Sequence, residues 1–373
     1  MYKKLMVAVA VLLLFSSSTW AVDFNIIGAG ARARGMGGAF IGLADDATAV
    51  SWNPAGLIQL ETPEASVVGM LESHSESADI PDWDTDPYSY SHFNLNFASA
   101  AIPLAVGNNN IVAAIAYQQM INLYYKYETD IYTEEQTGGV NAITPAVGVQ
   151  LTPALSVGAS LNIFTGKTNY TEDDQGYDQI ESEEAYSGTN FNIGVMMDLN
   201  RASIGVVFKT PFDLKGEMSG DYGTSEYILK MPTMIGFGIA YTASEKLTLA
   251  FDYESRKFSN SEEERDGITQ ELQLEDINQV RVGMEYLMMS GKSIVPLRLG
   301  FATAPTPNTD SNGDQITGVN LTAGIGIIMG NLNLDLGAEF NTYSYEYQYS
   351  STTYDYSDNY FRFIVAGVIH FNQ

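Results

Sequence analysis

The sequence alternates between apolar and polar residues over long stretches, and this two-residue period constrains the fold more than any other feature. From Asn331 to Asn341 every even position is apolar and every odd position is polar or glycine, and similar alternation surrounds Leu249, Val282 and Leu321. After Ala21 the chain has no apolar run of 18 residues, which excludes membrane-spanning helices. Alternation over such lengths indicates β-strands that each have one apolar face.

Fourteen segments of this kind follow one another, and their connections alternate between short and long. The segments begin near Ala65, Ser91, Asn110, Gly138, Ala154, Gly188, Ala202, Tyr227, Lys246, Asn278, Ile294, Gly318, Asn331 and Asn359. The short connections are Asn108-Asn109, Thr152-Pro153, Asn200-Arg201, Ser244-Glu245, Ser290-Gly291 and Gly330-Asn331. The long ones cover 75–90, 128–136, 168–187, 213–226, 259–276, 303–317 and 345–358, and hold 32 of the 45 acidic residues. This arrangement predicts an all-β fold, a 14-stranded antiparallel transmembrane β-barrel, and disfavours a soluble β-sandwich.

Charge and residue usage exclude several classes of function. The chain has 18 basic and 45 acidic residues, a net charge of −27, which excludes a nucleic-acid binder because phosphate contacts need clustered Lys and Arg. It has no cysteine, and its three histidines, His74, His92 and His370, show no metal-ligand spacing. We therefore expect no enzyme activity, no catalytic residues, no metal site and no cofactor.

The N-terminus predicts export and divides the chain into three parts. Lys3 and Lys4 precede an apolar run that is too short to span a bilayer, and a small residue at Ala21 suits cleavage. We assign residues 1–21 to a signal peptide, 22–64 to a segment without strand alternation, and 65–373 to the barrel.

The 22–64 segment contains closely spaced glycines followed by Asn53-Pro54-Ala55-Gly56-Leu57. No strand precedes these glycines, which disfavours a phosphate-binding loop. The segment resembles the opening of the long-chain fatty-acid transporter family of outer-membrane proteins (the FadL/TodX type). The resemblance rests on Gly35, Gly37, Gly38, Ala39, Phe40, Ala44 to Asp46 and Asn53 to Leu57. Barrels that act as accessories of the type IX secretion system open in a similar way and form a second resemblance.

The resemblance implies a monomeric barrel whose 22–64 segment folds inward as a plug, or hatch, and blocks the lumen. A hydrophobic ligand would enter from outside, pass binding pockets and leave sideways through the wall. The hatch or gate residues would be Gly35, Gly37, Gly38, Asp45, Asp46, Asn53, Pro54 and Ala55. Proline fixes its own φ and keeps the residue before it extended, while glycines permit sharp turns and close packing. An immobile plug would need the same turn chemistry, so movement of the hatch stays open.

Inward strand positions favour a hydrophobic conduit over a general porin, whose lumen is polar. The small or apolar inward positions are Ala98, Ala100, Ala114, Ala116, Gly148, Gly158, Gly194, Gly205, Gly236, Gly238, Gly324, Gly326, Ala366 and Val368. The charged inward positions are Asp252, Glu254, Arg281, Glu285, Arg298, Asp335, Glu339 and Arg362. Acids and arginines on neighbouring strands are expected to pair with one another. The alternative is an arginine that meets a ligand carboxylate, with Arg298, Arg362 and Arg281 as candidates.

Together these features predict transport of hydrophobic small molecules across the outer membrane of a Gram-negative-type bacterium. Long-chain fatty acids are the first expected ligand and aromatic hydrocarbons the second, with outer-membrane lipids around the wall. The long acidic loops are expected outside the cell, where they either bind divalent ions or reflect a saline habitat. The competing interpretation is a non-transport barrel that serves as a secretion accessory or a surface interaction protein.

Overall fold

A computed structural model describes residues 28–79, 87–106, 109–174, 179–221, 223–265, 267–291, 293–349 and 352–371. The expected signal peptide lies outside these residues. The described helices are short: α1 (Ala31–Gly35), α2 (Ala49–Trp52) and the 3₁₀-helices η1 (Pro54–Gln59) and η2 (Phe258–Asn260). In the described part of the chain, none of the helices has the length and apolarity needed to cross a bilayer.

Nineteen strand segments make up a single antiparallel sheet in the described residues. The first ten are β1 (Glu64–Asp79), β2 (Tyr88–Val106), β3 (Asn109–Asn122), β4 (Tyr125–Glu128), β5 (Tyr132–Thr152), β6 (Leu155–Asp174), β7 (Ile180–Asp198), β8 (Ala202–Lys209), β9 (Phe212–Gly220) and β10 (Gly223–Met231). The others are β11 (Met234–Ser244), β12 (Leu247–Arg256), β13 (Glu262–Arg265), β14 (Ile268–Glu271), β15 (Ile277–Ser290), β16 (Ser293–Thr309), β17 (Gln315–Met329), β18 (Leu332–Tyr349) and β19 (Thr352–His370).

These segments combine into fourteen barrel strands. The pairs β3–β4, β8–β9, β10–β11, β12–β13 and β14–β15 are each one strand with a short interruption. β3 and β4 both pair with β5, β8 and β9 both pair with β7, and the members of each remaining pair follow one another along the same interrupted neighbouring strand. The first and last strands then pair from Glu64–His370 to Asp79–Asp355, which closes the sheet on itself. The predicted 14-stranded antiparallel barrel is confirmed.

The two faces of each strand differ in the way that the alternation predicts. Along β11 the exposed side chains Ile235, Phe237, Ile239 and Tyr241 are large and apolar, and the intervening residues are buried. Comparable exposed apolar residues occur on the other long strands, so the outer surface of the barrel is apolar, as lipid contact requires.

The predicted inward direction of Ala98 and Ala100 is wrong. The β1–β2 register shifts between Val68 and Gly69, where Val68 is opposite Phe97 and Gly69 is opposite Leu95. The extra residue in β2 shifts its facing by one position, so that Phe97 and Ala101 are buried inside and Ala100 is exposed.

Within the described residues, the short turns lie where the sequence predicts them, whereas much of the long connections is strand. β6 continues to Asp174 and β7 begins at Ile180, and comparable extensions occur in the other hairpins. Cross-strand side-chain pairs explain the extensions, since each adds a favourable contact on the strand surface. Tyr345 and Tyr356, for example, stack with ring centroids 5.4 Å apart.

Residues 28–63 lie inside the barrel. Helix α1 contacts β16, β17, β18 and β19, whereas η1 contacts β3, β5, β6 and β7 on the opposite part of the wall. Most side chains from Ala29 to Leu57 are buried, including Phe40 and Trp52. We refer to residues 28–63 as the N-terminal segment.

The lipid-facing assignment gives a first testable prediction. Leu336 is 54% exposed on the outer face of β18. Leu336→Arg should lower the free energy of unfolding by about 2–4 kcal/mol, because a charge near the bilayer centre is poorly solvated. The matched Leu336→Phe variant should unfold like the wild type in denaturant titrations in lipid vesicles. Equal stability of the two variants would show that this face does not contact lipid.

Candidate functional site

The glycines of the N-terminal segment let its backbone approach the wall closely. Gly37 and Gly38 have φ values of 69° and 74°, which side-chain-bearing residues rarely adopt. A Cβ atom added to Gly35 would lie 3.1 Å from the Cα atom of Gly324, and one added to Gly37 would lie 2.8 Å from the backbone nitrogen of Phe301. These glycines therefore permit backbone-to-backbone packing against β16 and β17.

Asn53, Pro54 and Ala55 form the junction between α2 and η1. Asn53 is extended, and its Oδ1 atom accepts a hydrogen bond of 3.2 Å from the Ala55 nitrogen. The Nδ2 atom of Asn53 donates to the carbonyl oxygens of Ile41, at 3.0 Å, and Val195, at 3.2 Å. One amide side chain thus joins two parts of the N-terminal segment to strand β7.

Glycines on four adjoining wall segments make room for this junction. A Cβ atom at Gly158 would overlap the Pro54 carbonyl carbon, and one at Gly194 would overlap Asn53 Oδ1. The other two members are Gly148 and Gly205. The sequence identified these four residues as small inward positions, and the structure shows what occupies the space that they leave.

Asp45 and Asp46 lie beside Arg32, which also pairs with Glu285 of the wall at 2.9 Å. The Asp46 Oδ1 atom accepts a hydrogen bond of 2.8 Å from the Thr48 nitrogen. Burial raises the pKa of Asp46, although the positive charge of Arg32 opposes this shift. The two aspartates therefore connect Arg32 to the turn before α2. Glu285 separately connects Arg32 to β15.

Two wall side chains hold the N-terminal segment in ways that the sequence alone did not indicate. Asp252 accepts hydrogen bonds from the backbone nitrogens of Phe40, at 2.7 Å, and Ile41, at 2.8 Å. Thr322 Oγ1 accepts from the Gly37 nitrogen at 2.9 Å and donates to the Gly35 carbonyl at 3.0 Å. Both residues are inward in the alternation, but their partners are more than 200 residues away.

The three arginines considered for a ligand carboxylate are all paired with protein acids. Arg281 pairs with Glu254 at 2.9 Å, and Arg298 pairs with Glu285 at 2.6 Å and with Asp335. Arg362 pairs with Glu72 and, at 3.1 Å, with Glu339. The expected mutual pairing is therefore present. Direct contact with a ligand headgroup stays a prediction that these ion pairs disfavour.

A second interior feature is a group of inward apolar side chains, which we call the inner apolar cluster. Its members are Ile121, Leu123, Val140, Ala142, Phe164, Tyr186, Leu214, Leu229, Met231, Phe258 and Ile277. Phe164 follows Gly158 by six residues on β6, so the cluster lies beyond the N-terminal segment, towards the long hairpins. Phe164 also stacks on Phe212, with ring centroids 4.5 Å apart.

This cluster is not among the inward positions predicted from the sequence, although its signal is present there. Phe164 has the same inward phase as Gly158, and extending the alternation along β6 would have placed it inside. The contributions of Leu123 and Phe258 could not be found in this way, because both lie in interruptions between strand segments.

Solved structures provide the comparison with known proteins. A FadL homologue from Pseudomonas aeruginosa superposes with a TM-score of 0.72 at 10% identity, covering 94% of this chain and all of that one. The fold is that of the FadL-type barrels. The Ralstonia pickettii toluene transporter TbuX has a TM-score of 0.66 at 16% identity, and the P. putida toluene transporter TodX has 0.66 at 13%. Each of these two comparisons covers 94% of this chain and all of the other chain. No family model and no curated protein sequence matches the chain.

Proposed function

We propose that the protein carries hydrophobic small molecules across an outer membrane, past the N-terminal segment. The inner apolar cluster is the observation that carries this proposal. A general porin keeps a polar, water-filled lumen, whereas this barrel directs Phe164, Leu214 and Ile277 inward. A group of apolar side chains within a barrel has the composition of a ligand pocket for an apolar molecule. The FadL-type fold, shared with proteins described as toluene transporters, supports the same proposal.

The ligand class that we propose is long-chain fatty acids first and aromatic hydrocarbons second. The apolar cluster suits the acyl chain of the former and the ring of the latter. Arg281, Arg298 and Arg362 are already paired with acids, so we propose that binding depends on apolar contact more than on a carboxylate. Measuring the affinity of the protein for a fatty acid and for toluene therefore tests which ligand class it prefers.

We propose that the N-terminal segment is the hatch, with Gly35, Gly37, Gly38, Asp45, Asp46, Asn53, Pro54 and Ala55 as its hatch or gate residues. Its contacts with strands on both sides of the barrel support a closing role. The wall holds this junction through the hydrogen bonds Asn53–Val195, at 3.2 Å, and Ser156–Ala55, at 3.0 Å, so local movement requires these two side-chain bonds to break. We further propose a monomer, with the acid-rich hairpins outside the cell and the short turns in the periplasm.

The proposal predicts that a polar group in the inner apolar cluster impairs uptake. Leu214 is 2% exposed inside the barrel, whereas the next residue, Lys215, is exposed on the other face of β9. Leu214→Gln should weaken binding of a labelled fatty acid or toluene about tenfold, since an unpaired buried polar group costs about 1–3 kcal/mol. Binding to purified protein and uptake by cells would both be measured.

Lys215→Gln is the matched control and should bind and transport like the wild type. Circular dichroism and the heat-resistant folded band would show that both variants are folded. Unchanged binding and uptake in a folded Leu214→Gln protein would contradict the proposed ligand path.

A further inference from the structure

His74, Glu76 and Asp358 form a buried cluster at the junction of the first and last strands. His74 and Glu76 are two residues apart on β1, so both point into the barrel, and Asp358 is the partner of Glu76 on β19. One potential ligand atom from each residue lies within 4.8 Å of the others. The Nε2 atom of His74 is 2.9 Å from Asp358 Oδ1.

The two carboxylates lack the arginine partners that most other interior acids have. Glu76 is 8% exposed and Asp358 5%, and neither pairs with a lysine or arginine among the described residues. Glu72, two residues before His74, is instead paired with Arg362. Two buried carboxyl groups this close together are an unfavourable arrangement unless a cation lies nearby.

Polar atoms without a hydrogen-bond partner lie around His74, Glu76 and Asp358. Among the described residues, no group donates a hydrogen bond to the carboxylate of Glu76, although the side chain is more than nine-tenths buried. The Nδ1 atom of His74 and the hydroxyl of Tyr88, which is opposite Glu76 on β2, are also buried without a hydrogen bond. Buried polar groups are seldom left unsatisfied, so these atoms indicate a partner that is not part of the chain.

We propose that His74, Glu76 and Asp358 bind a divalent transition-metal ion. One imidazole nitrogen and two carboxylates supply three ligands, and water can complete the coordination. The imidazole favours Zn²⁺ and related ions over Ca²⁺ and Mg²⁺, which prefer oxygen ligands alone. The ion would also connect β1 to β19 through side chains, at the pair of strands that closes the barrel.

The spacing of the three histidines does not indicate this site, and no metal site was therefore expected from the sequence. The ligands are His74 and Glu76, with a period-two spacing typical of one strand face, together with an aspartate that is 282 residues after Glu76 in sequence. Only closure of the barrel brings Asp358 to the other two.

The test uses the purified full-length protein, freed of metal with EDTA and titrated with Zn²⁺. We expect one ion per chain after dialysis, measured by inductively coupled plasma mass spectrometry, and a higher melting temperature. His74→Gln and Glu76→Gln should each weaken Zn²⁺ binding at least tenfold. A large excess of Ca²⁺ should not displace the bound Zn²⁺.

Glu217→Gln, which removes an exposed acid from hairpin strand β9, is the control and should bind Zn²⁺ like the wild type. The order of the melting temperatures of wild type and Glu76→Gln should reverse when Zn²⁺ is added, and this measurement does not depend on the affinity for Zn²⁺. In EDTA the Glu76→Gln protein should melt at or above the wild-type temperature, because two buried carboxyl groups no longer face each other, and with Zn²⁺ it should melt below it. No bound ion in the wild type, or an equal loss of binding in Glu217→Gln, would overturn the proposal.

Discussion

Deleting residues 28–60 should make the barrel permeable to small hydrophilic solutes. The N-terminal segment contacts strands on both sides of the lumen, and its removal leaves wall residues such as Asp252 and Thr322 facing water instead of backbone partners. We expect large increases in the swelling rate of vesicles in sugar solutions and in the antibiotic sensitivity of cells. The heat-resistant folded band would show that the deleted barrel still assembles.

Pro54→Gly serves as the full-length control for this experiment. The substitution loosens one position, and the ion pairs and hydrogen bonds of Arg32 and Asp252 stay in place. The free energy of unfolding should therefore stay within about 1 kcal/mol of the wild type, and the barrel should stay closed to sugars. A folded deletion protein that remains impermeable would show that the segment is not the barrier and would favour a non-transport interaction barrel.

Gly158→Val should strongly disturb the packing of the N-terminal segment against the wall. A side chain at this position overlaps the backbone of Pro54 and Ala55, which cannot rotate away as a side-chain tip can. Overpacking of this kind costs about 1–3 kcal/mol or more, so the N-terminal segment should be displaced or the barrel destabilised. Protease sensitivity of residues 28–63 and denaturant titration of the barrel distinguish the two results.

Gly367→Ala on β19 is the matched glycine control. The nearest atom to an added Cβ there is Leu334 Cδ2 at 3.7 Å, an ordinary contact distance. This variant should keep both the stability and the protease resistance of the wild type. Wild-type behaviour of Gly158→Val as well would mean that the segment does not pack against β6 as described.

Much of the architecture follows from local sequence pattern. The alternation from Asn331 to Asn341 fixes which side chains of β18 face lipid, because the period of a strand is two. Turn residues such as Asn200, with φ of 67°, locate strand ends through their own backbone preference. The small residue at Gly158 indicated interior space. These signals lie within a few residues of one another, so they can be recognised before the structure is known.

Other features depend on contacts between distant parts of the chain. The bulge at the Val68–Gly69 step reverses the facing of β2, and the side-chain pattern of β2 alone did not reveal it. The hairpin extensions around Tyr345 and Tyr356 depend on cross-strand stacking. Asp358 reaches His74 only because the last strand pairs with the first. Pairing of this kind is a property of the closed barrel, so composition and spacing do not indicate it.

The glycines at Gly148, Gly158, Gly194 and Gly205 also limit how such proteins can be re-engineered. The wall supplies the complementary half of the surface on which Asn53, Pro54 and Ala55 rest. An N-terminal segment grafted from another barrel would have a different surface shape, which would not fit the space that these glycines leave. The segment is therefore not an interchangeable module, and a working chimera would have to exchange the inward residues of β5 to β8 together with it.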